Sequence, residues 1–345
     1  MREENVDAQR PVSRSDGAQP SLPVLPLTEW EETKDTLHLW AQIVGKVRMA
    51  STAPRNHWWH VPLYVDVRGL TTRRMHGRDQ ISFEIDFDFI DHRLVITTNR
   101  GAVEYFDLVD GLSVAAFDEA LHARLAGLGI DVTIRETPYR VPMSTPFPAD
   151  REHASYDRDA VERFWHILDW TDEVFEEFSG WYCGKTSPVH LFWHSLDLAL
   201  TRFGGRRAPA RPEADSVTQE AYSHEVISFG FWAGDQNVRE PTYYSYTAPE
   251  PASLRARPLH PEEAFWSELY GGSLALLRYE TVRTAANPRA TLLAFLESAY
   301  QAGAGESGWD EGDLASSWCP SPPQLSDLLD RQVTVEAAAD PHGGL

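Results

Sequence analysis

The stretch Phe83-Glu84-Ile85-Asp86-Phe87-Asp88-Phe89-Ile90-Asp91-His92-Arg93-Leu94-Val95-Ile96-Thr97-Thr98 decides the fold class. Its first half alternates strictly, with Phe83, Ile85, Phe87 and Phe89 on one side and Glu84, Asp86 and Asp88 on the other. A period of two belongs to a strand with one buried face. Asp91, His92 and Arg93 make a short polar break before a β-branched run, so the stretch predicts an antiparallel hairpin. The carboxylates two apart on its polar face could bind a hard cation, but such a row is more commonly a solvated sheet face.

Around it lie further strand-like segments, HVPLYVDVRGL at 60–70 and AVEYFDLV at 102–109. A helix is predicted before them over residues 33–51, on the spacing of Leu39, Ile43, Val47 and Ala50. A second follows from an N-cap at Ser113 to about Leu128. The segment IDVTIRET at 130–137 is read as one more strand. Downstream come a helix at 156–178, a helix at 189–203, strands at 224–232, 242–248 and 273–280, and a helix opening on Pro288. Long antiparallel-type strands with helices set beside them predict an α+β fold and argue against a doubly wound parallel sheet.

The two halves follow a similar order. LHLWAQIVGKVRMAS at 37–51 aligns without gaps to VHLFWHSLDLALTRF at 189–203, and a strand opening on His60 or His224 follows each. The expected organisation is therefore a polar disordered arm (1–24), a first half (25–137), a Pro-rich linker (138–150), a second half (151–318) and a flexible tail (319–345). The halves are pseudo-repeats, each a mainly antiparallel sheet with packed helices.

The formal charge of -21 and the lack of a basic stripe speak against a nucleic-acid partner. No apolar run approaches the roughly 20 residues needed to span a bilayer, and the first residues lack a signal-peptide core, so a cytoplasmic protein without membrane contact is expected. The two cysteines, Cys183 and Cys319, form no metal-ligand or disulfide pattern. Cys183 in GWYCGK has Lys185 nearby but no assigned base, which makes it a poor nucleophile candidate. The 12 Trp predict an aromatic-rich core.

On the predicted 189–203 helix, His190, His194 and Asp197 stand at i, i+4 and i+7, within about 60° of one another. That stripe is the candidate metal site, for a divalent transition metal, or a carboxylate-oriented acid/base pair. A buried Asp–His hydrogen bond of purely structural use competes with it. Asn56-His57-Trp58-Trp59-His60 sets two imidazoles against an apolar wall, which depresses their pKa and keeps them neutral. His57, His60 and, from the matching strand, His224 are the candidate catalytic residues. Together the six residues would line one cleft. The Walker, Rossmann, nucleophile-elbow, HExxH, EF-hand and kinase patterns are all missing.

The phrases NHWWHVPLYV, FEIDFDFIDHRLVI, FWHSLDLALTRF, SHEVISFGFWAGD, YYSYTAPEP and LRYETVR together resemble the bacterial family catalogued as domain of unknown function 5996. The resemblance covers about residues 27–310 and implies no activity, substrate or cofactor. It implies that the phrases holding His57, His60, His194, Asp197, His224 and Glu225 are hallmarks of that family.

Two readings follow for function. One is a small-molecule enzyme with a His/Asp-lined cleft, metal-dependent or metal-free. The other is a non-catalytic binding module holding an apolar or aromatic ligand. An interaction protein using its acidic surface is a third with no particular feature behind it. The sequence leaves the oligomeric state open.

Overall fold

The computed structural model describes residues 22–316 together with 325, 327 and 328. Most of the expected arm and tail, and Cys319, lie outside the described residues.

In chain order the elements are α1 (Leu27–Ser51), β1 (Tyr64–Asp66), β2 (Gly69–Thr71), β3 (Met75–His76), β4 (Ser82–Asp88), β5 (Arg93–Thr98), β6 (Val103–Asp107), α2 (Val114–Gly127), α3 (Arg158–Gly180), β7 (His190–Phe192), β8 (Asp197–Arg207), α4 (Ser216–Ala221), β9 (His224–Trp232), β10 (Thr242–Ala248), β11 (Phe265–Leu269), β12 (Gly272–Arg278), α5 (Tyr279–Thr284), α6 (Pro288–Ser307) and α7 (Glu311–Leu314). They build two six-stranded sheets. The first runs β1-β2-β4-β5-β6 with β3 on β4, and the second runs β11-β12-β10-β9-β8-β7. Every strand pair is antiparallel. The fold is α+β, with two halves each made of a sheet and helices.

The deciding hairpin forms as read, with Phe83 opposite Thr98, Ile85 opposite Ile96 and Phe87 opposite Leu94. Phe83, Ile85, Phe87 and Phe89 are buried. The opposite face is less wet than a solvated row would be. Asp88 is buried, caps the turn by accepting from the Ile90 and Asp91 amides, and pairs with Arg68 at 2.8 Å. Burial pushes the Asp86 carboxyl up to about 6.

α1 runs through the molecule's interior. Residues 36–48 are buried on every side, including His38, Gln42, Lys46 and Arg48. Buried polar groups need partners; Gln42 and Lys46 find them in the segment after α2, and Arg48 donates to the Thr72 carbonyl. Gln42 exchanges two hydrogen bonds with the Tyr139 backbone, and Lys46 donates to the Arg135 carbonyl at 2.9 Å. The 130–137 segment is consequently not the strand the sequence predicts. It is extended chain whose carbonyls serve α1 side chains instead of a neighbouring strand. Residues 60–70 likewise form not one strand but the β1–β2 hairpin, with Asp66 opposite Gly69.

The largest correction concerns residues 189–203. They form β7, a tight turn and the start of β8, not a helix. β8 is interior to its sheet, and Asp197, Leu198, Ala199 and Leu200 are buried on both faces. A continuous apolar run has no period that separates a buried strand from a buried helix. Leu196, in the left-handed region at φ 53°, closes the turn. The gapless match of 37–51 to 189–203 therefore pairs a helix with a hairpin. The halves share a plan, but those two segments are not equivalent.

The halves meet at a backbone seam among other contacts. Leu63, just before β1, and Leu191 of β7 exchange both backbone hydrogen bonds, at 2.9 and 2.8 Å. A single hydrophobic core runs across both sheets. Trp193 of the hairpin seats on α1 at Gly45, where a Cβ would stand 2.1 Å from the Trp193 Cδ1. Only glycine permits that approach.

A candidate His–Lys centre beside an aromatic groove

Between α1 and β1 the chain makes a short 3-10 turn, Asn56–Trp58, in which His57 and Trp58 take successive positive φ values of 54° and 61°. Such backbone in non-glycine residues costs of order 1–3 kcal/mol per residue and persists only where the surroundings enforce it. Here the enforcing contact comes from α4, where Glu220 Oε1 accepts the His57 amide at 3.0 Å.

This strained turn sets the buried His57 ring against Lys185. Lys185 Nζ lies 2.7 Å from His57 Nε2. An ammonium only donates, so Nε2 accepts and the neutral ring carries its proton on Nδ1, which is buried without a hydrogen-bond partner. Two aromatic faces flank the amine, Trp59 at 5.0 Å and Phe203 at 4.7 Å from the ring centres. The His224 ring stands edge-on to His57 at 5.4 Å. Burial, helped by the Lys185 charge, holds the His57 pKa below its ordinary value. Burial and then the charges of Lys185 and Arg207 do the same to His224. Lys185 is also pulled down by burial, with Glu220 opposing. Among the described residues no carboxylate stands within ion-pair distance of Lys185.

Next to this centre, Pro54, Arg55, Asn56, Trp58, His60 and Glu220 line a groove of about 400 Å³. The Trp58 and His60 rings stack at 5.4 Å, and His60 Nδ1 accepts the Arg55 amide at 3.2 Å. The Trp58 indole N–H is buried without a hydrogen-bond partner.

The six sequence-derived residues thus divide. His57 and His224 meet, and His60 lies on the adjoining groove. His190, His194 and Asp197 belong to the β7–β8 hairpin at the other end of the second sheet. In the β8–β9 register His224 faces Arg207, whereas Asp197 faces Trp232 eight residues further along β9. At about 3.3 Å per residue that is a separation on the order of 25 Å. Asp197 accepts hydrogen bonds from the Ser195 and Tyr244 hydroxyls. His190 is fully buried, while His194 is half-buried on the turn. The helix face that made these three a metal set does not exist. Among the described residues no three His, Cys, Asp or Glu side chains gather closely enough to hold one ion.

Sequence reasoning missed Lys185 and Glu220 as partners of His57. One signal was available. Lys34, Lys46 and Lys185 are the only lysines among the chain's 31 basic residues, and only Lys185 is exposed. Arginine cannot give up its proton at ordinary pH, so a lysine in an arginine-using chain marks a place where an amine is useful. Cys183, beside it in sequence, donates its thiol to the Asp313 carbonyl at 3.0 Å and does not face His57.

Fold and site define an α+β protein with a surface His–Lys centre beside an aromatic groove. The chain belongs to the family of unknown function DUF5996, whose model matches residues 22–316. Comparison with curated proteins and with solved structures finds no match to either. No helix among the described residues is long and apolar enough to cross a membrane.

Proposed function

We propose that this protein is a cytoplasmic enzyme acting on a small molecule held in the Trp58–His60 groove, with Lys185 as its reacting amine. The observation that carries this reading is the 2.7 Å Lys185–His57 contact. His57 accepts a hydrogen bond from the ammonium and thereby aims it. Burial lowers the cost of losing its proton and outweighs the Trp59 and Phe203 ring faces, which favour the charged form. The free amine is then a base toward an acidic substrate proton, or a nucleophile toward a carbonyl carbon. His224 and Glu220 stand close enough to act electrostatically on the same amine and imidazole. The chemistry in this reading needs no metal ligand set.

Turnover of a panel of carbonyl-bearing and acidic small molecules, followed by mass spectrometry, tests it. Activity on any member should fall by at least a hundredfold in Lys185→Met. It should be unchanged in Arg93→Ala, a surface change in an exposed ion pair. Turnover that survives Lys185→Met places the chemistry elsewhere.

The buried, unpartnered Trp58 N–H favours a second reading, a binding module whose ligand supplies the missing acceptor. A groove of about 400 Å³ lies within the size range of small-molecule sites. Binding that is lost in Trp58→Phe, with no turnover, would select this reading.

A further inference from the structure

We infer that the seam between the two sheets holds a small oxyanion, a phosphate or carboxylate group, between Arg48, Arg73 and His190. The site goes beyond the His–Lys centre and does not depend on it.

The Leu63–Leu191 bridge sets Tyr64 and His190 side by side, their rings perpendicular at 6.3 Å. Arg48 enters from α1 and donates to the Thr72 carbonyl. Arg73 enters from the chain after β2 and lies flat over Tyr64, its guanidinium carbon 3.5 Å from the ring centre. Arg48 approaches the same ring at 5.5 Å. The Arg73 backbone is held at φ 54°, with its amide donating to Thr71 Oγ1 at 2.9 Å, so a strained turn sustains the placement.

Three atoms here lack partners. His190 is 1% exposed, yet neither of its ring nitrogens makes a hydrogen bond, and Arg48 Nε is equally buried and unpaired. Two arginines converge in a chain of charge -21, and among the described residues neither has a carboxylate within ion-pair distance. A buried charge is ordinarily paired, and an unpaired buried donor is costly. A planar guanidinium fork suits phosphate and carboxylate geometry. An oxyanion would accept from Arg48 Nε, from Arg73 and from one His190 N–H, which satisfies two of the three unpartnered atoms and both guanidinium charges. Arg73 is exposed and provides the way in. Asp172 of α3 acts on Arg73 and Arg55 acts on Arg48, which places one opposing and one reinforcing charge at the rim.

Titration calorimetry at fixed ionic strength, in a zwitterionic buffer, tests the inference with inorganic phosphate and with malonate. Wild-type protein should bind at least one of them at one site per chain, and the tighter of the two identifies the group. Affinity should drop at least tenfold in Arg73→Ala, whose exposed position leaves folding intact, and in His190→Phe, checked for folding by circular dichroism. Arg93→Ala should bind like wild type. Failure of wild type to bind either anion, or equal affinity in Arg73→Ala and Arg93→Ala, overturns it.

Discussion

Lys185 Nζ and His57 Nε2 stand 2.7 Å apart although 128 residues separate them in sequence. The contact joins the loop after α3 to the strained turn before β1, and so spans both halves of the fold. Neither group gains by being charged there, since burial pulls both pKa values down. An amine and an imidazole that share one hydrogen bond and both disfavour a proton make a poor structural pair. They are suited to passing a proton between amine and imidazole.

The Gly45 contact with Trp193 fixes the hairpin on α1. Gly45→Ala would drive a methyl into the indole, and overpacking of this kind costs about 1–3 kcal/mol. Urea denaturation should show the loss as a lower midpoint with unchanged slope. Equal or higher stability would mean that the hairpin is free to move away from the helix.

His190 should be a stability liability in protein free of ligand. Its two unpartnered nitrogens carry a desolvation penalty of about 1–3 kcal/mol that a phenyl ring would not. His190→Phe is expected to raise the denaturation midpoint in zwitterionic buffer. Saturating the wild type with the anion it binds should narrow the difference. A lower midpoint in the variant would show that the nitrogens are already satisfied.

Acid should destabilise the fold. Burial holds His38 and His190 at about 3, and lowers His57, His60, His194 and His224 as well. Each contributes stability above the unfolded histidine pKa of about 6.5 and loses it as pH falls, because the unfolded chain then binds the extra proton. The slope for one histidine is up to about 1.4 kcal/mol per pH unit. Asp86, raised to about 6, and Asp172, raised to about 7, act in the opposite sense, since the folded state binds their protons first. Asp169, Glu297, Glu311 and His122 are raised too and oppose the trend. Glu31, Asp88, Asp215 and Glu280 are lowered and join the six histidines, so stability measured by denaturant should fall between about pH 6.5 and 4. His190→Phe should flatten that limb, and an unchanged limb would refute the assignment.

Local pattern carried much of the fold. Strict alternation at Phe83–Phe89 has no helical alternative, and the Ser113 hydroxyl does accept from the Ala116 amide to start α2. Residues 189–203 misled because an interior strand is apolar on both faces, and because the spacing of His190, His194 and Asp197 happens to suit a helix. Residues 130–137 misled because the Arg135 and Thr137 carbonyls accept from the Lys46 side chain, 89 and 91 residues away, which no local pattern records. The site was legible only in part. His57 and His60 stood out from the aromatic run, but their partners Lys185 and Glu220 come from loop and short-helix positions set by the packing of α4 on the turn.

The most direct test of the His–Lys centre is the titration of Lys185 itself. With 13C-labelled lysine the chain gives three Cε resonances, and Lys185→Arg assigns the one that matters. Lys185 should titrate below the ordinary lysine value of 10.5 and show a second inflection as the His57 ring protonates. That inflection should vanish in His57→Asn, a residue that tolerates the positive φ. A single midpoint at or above 10.5, with no imidazole inflection, would contradict the account.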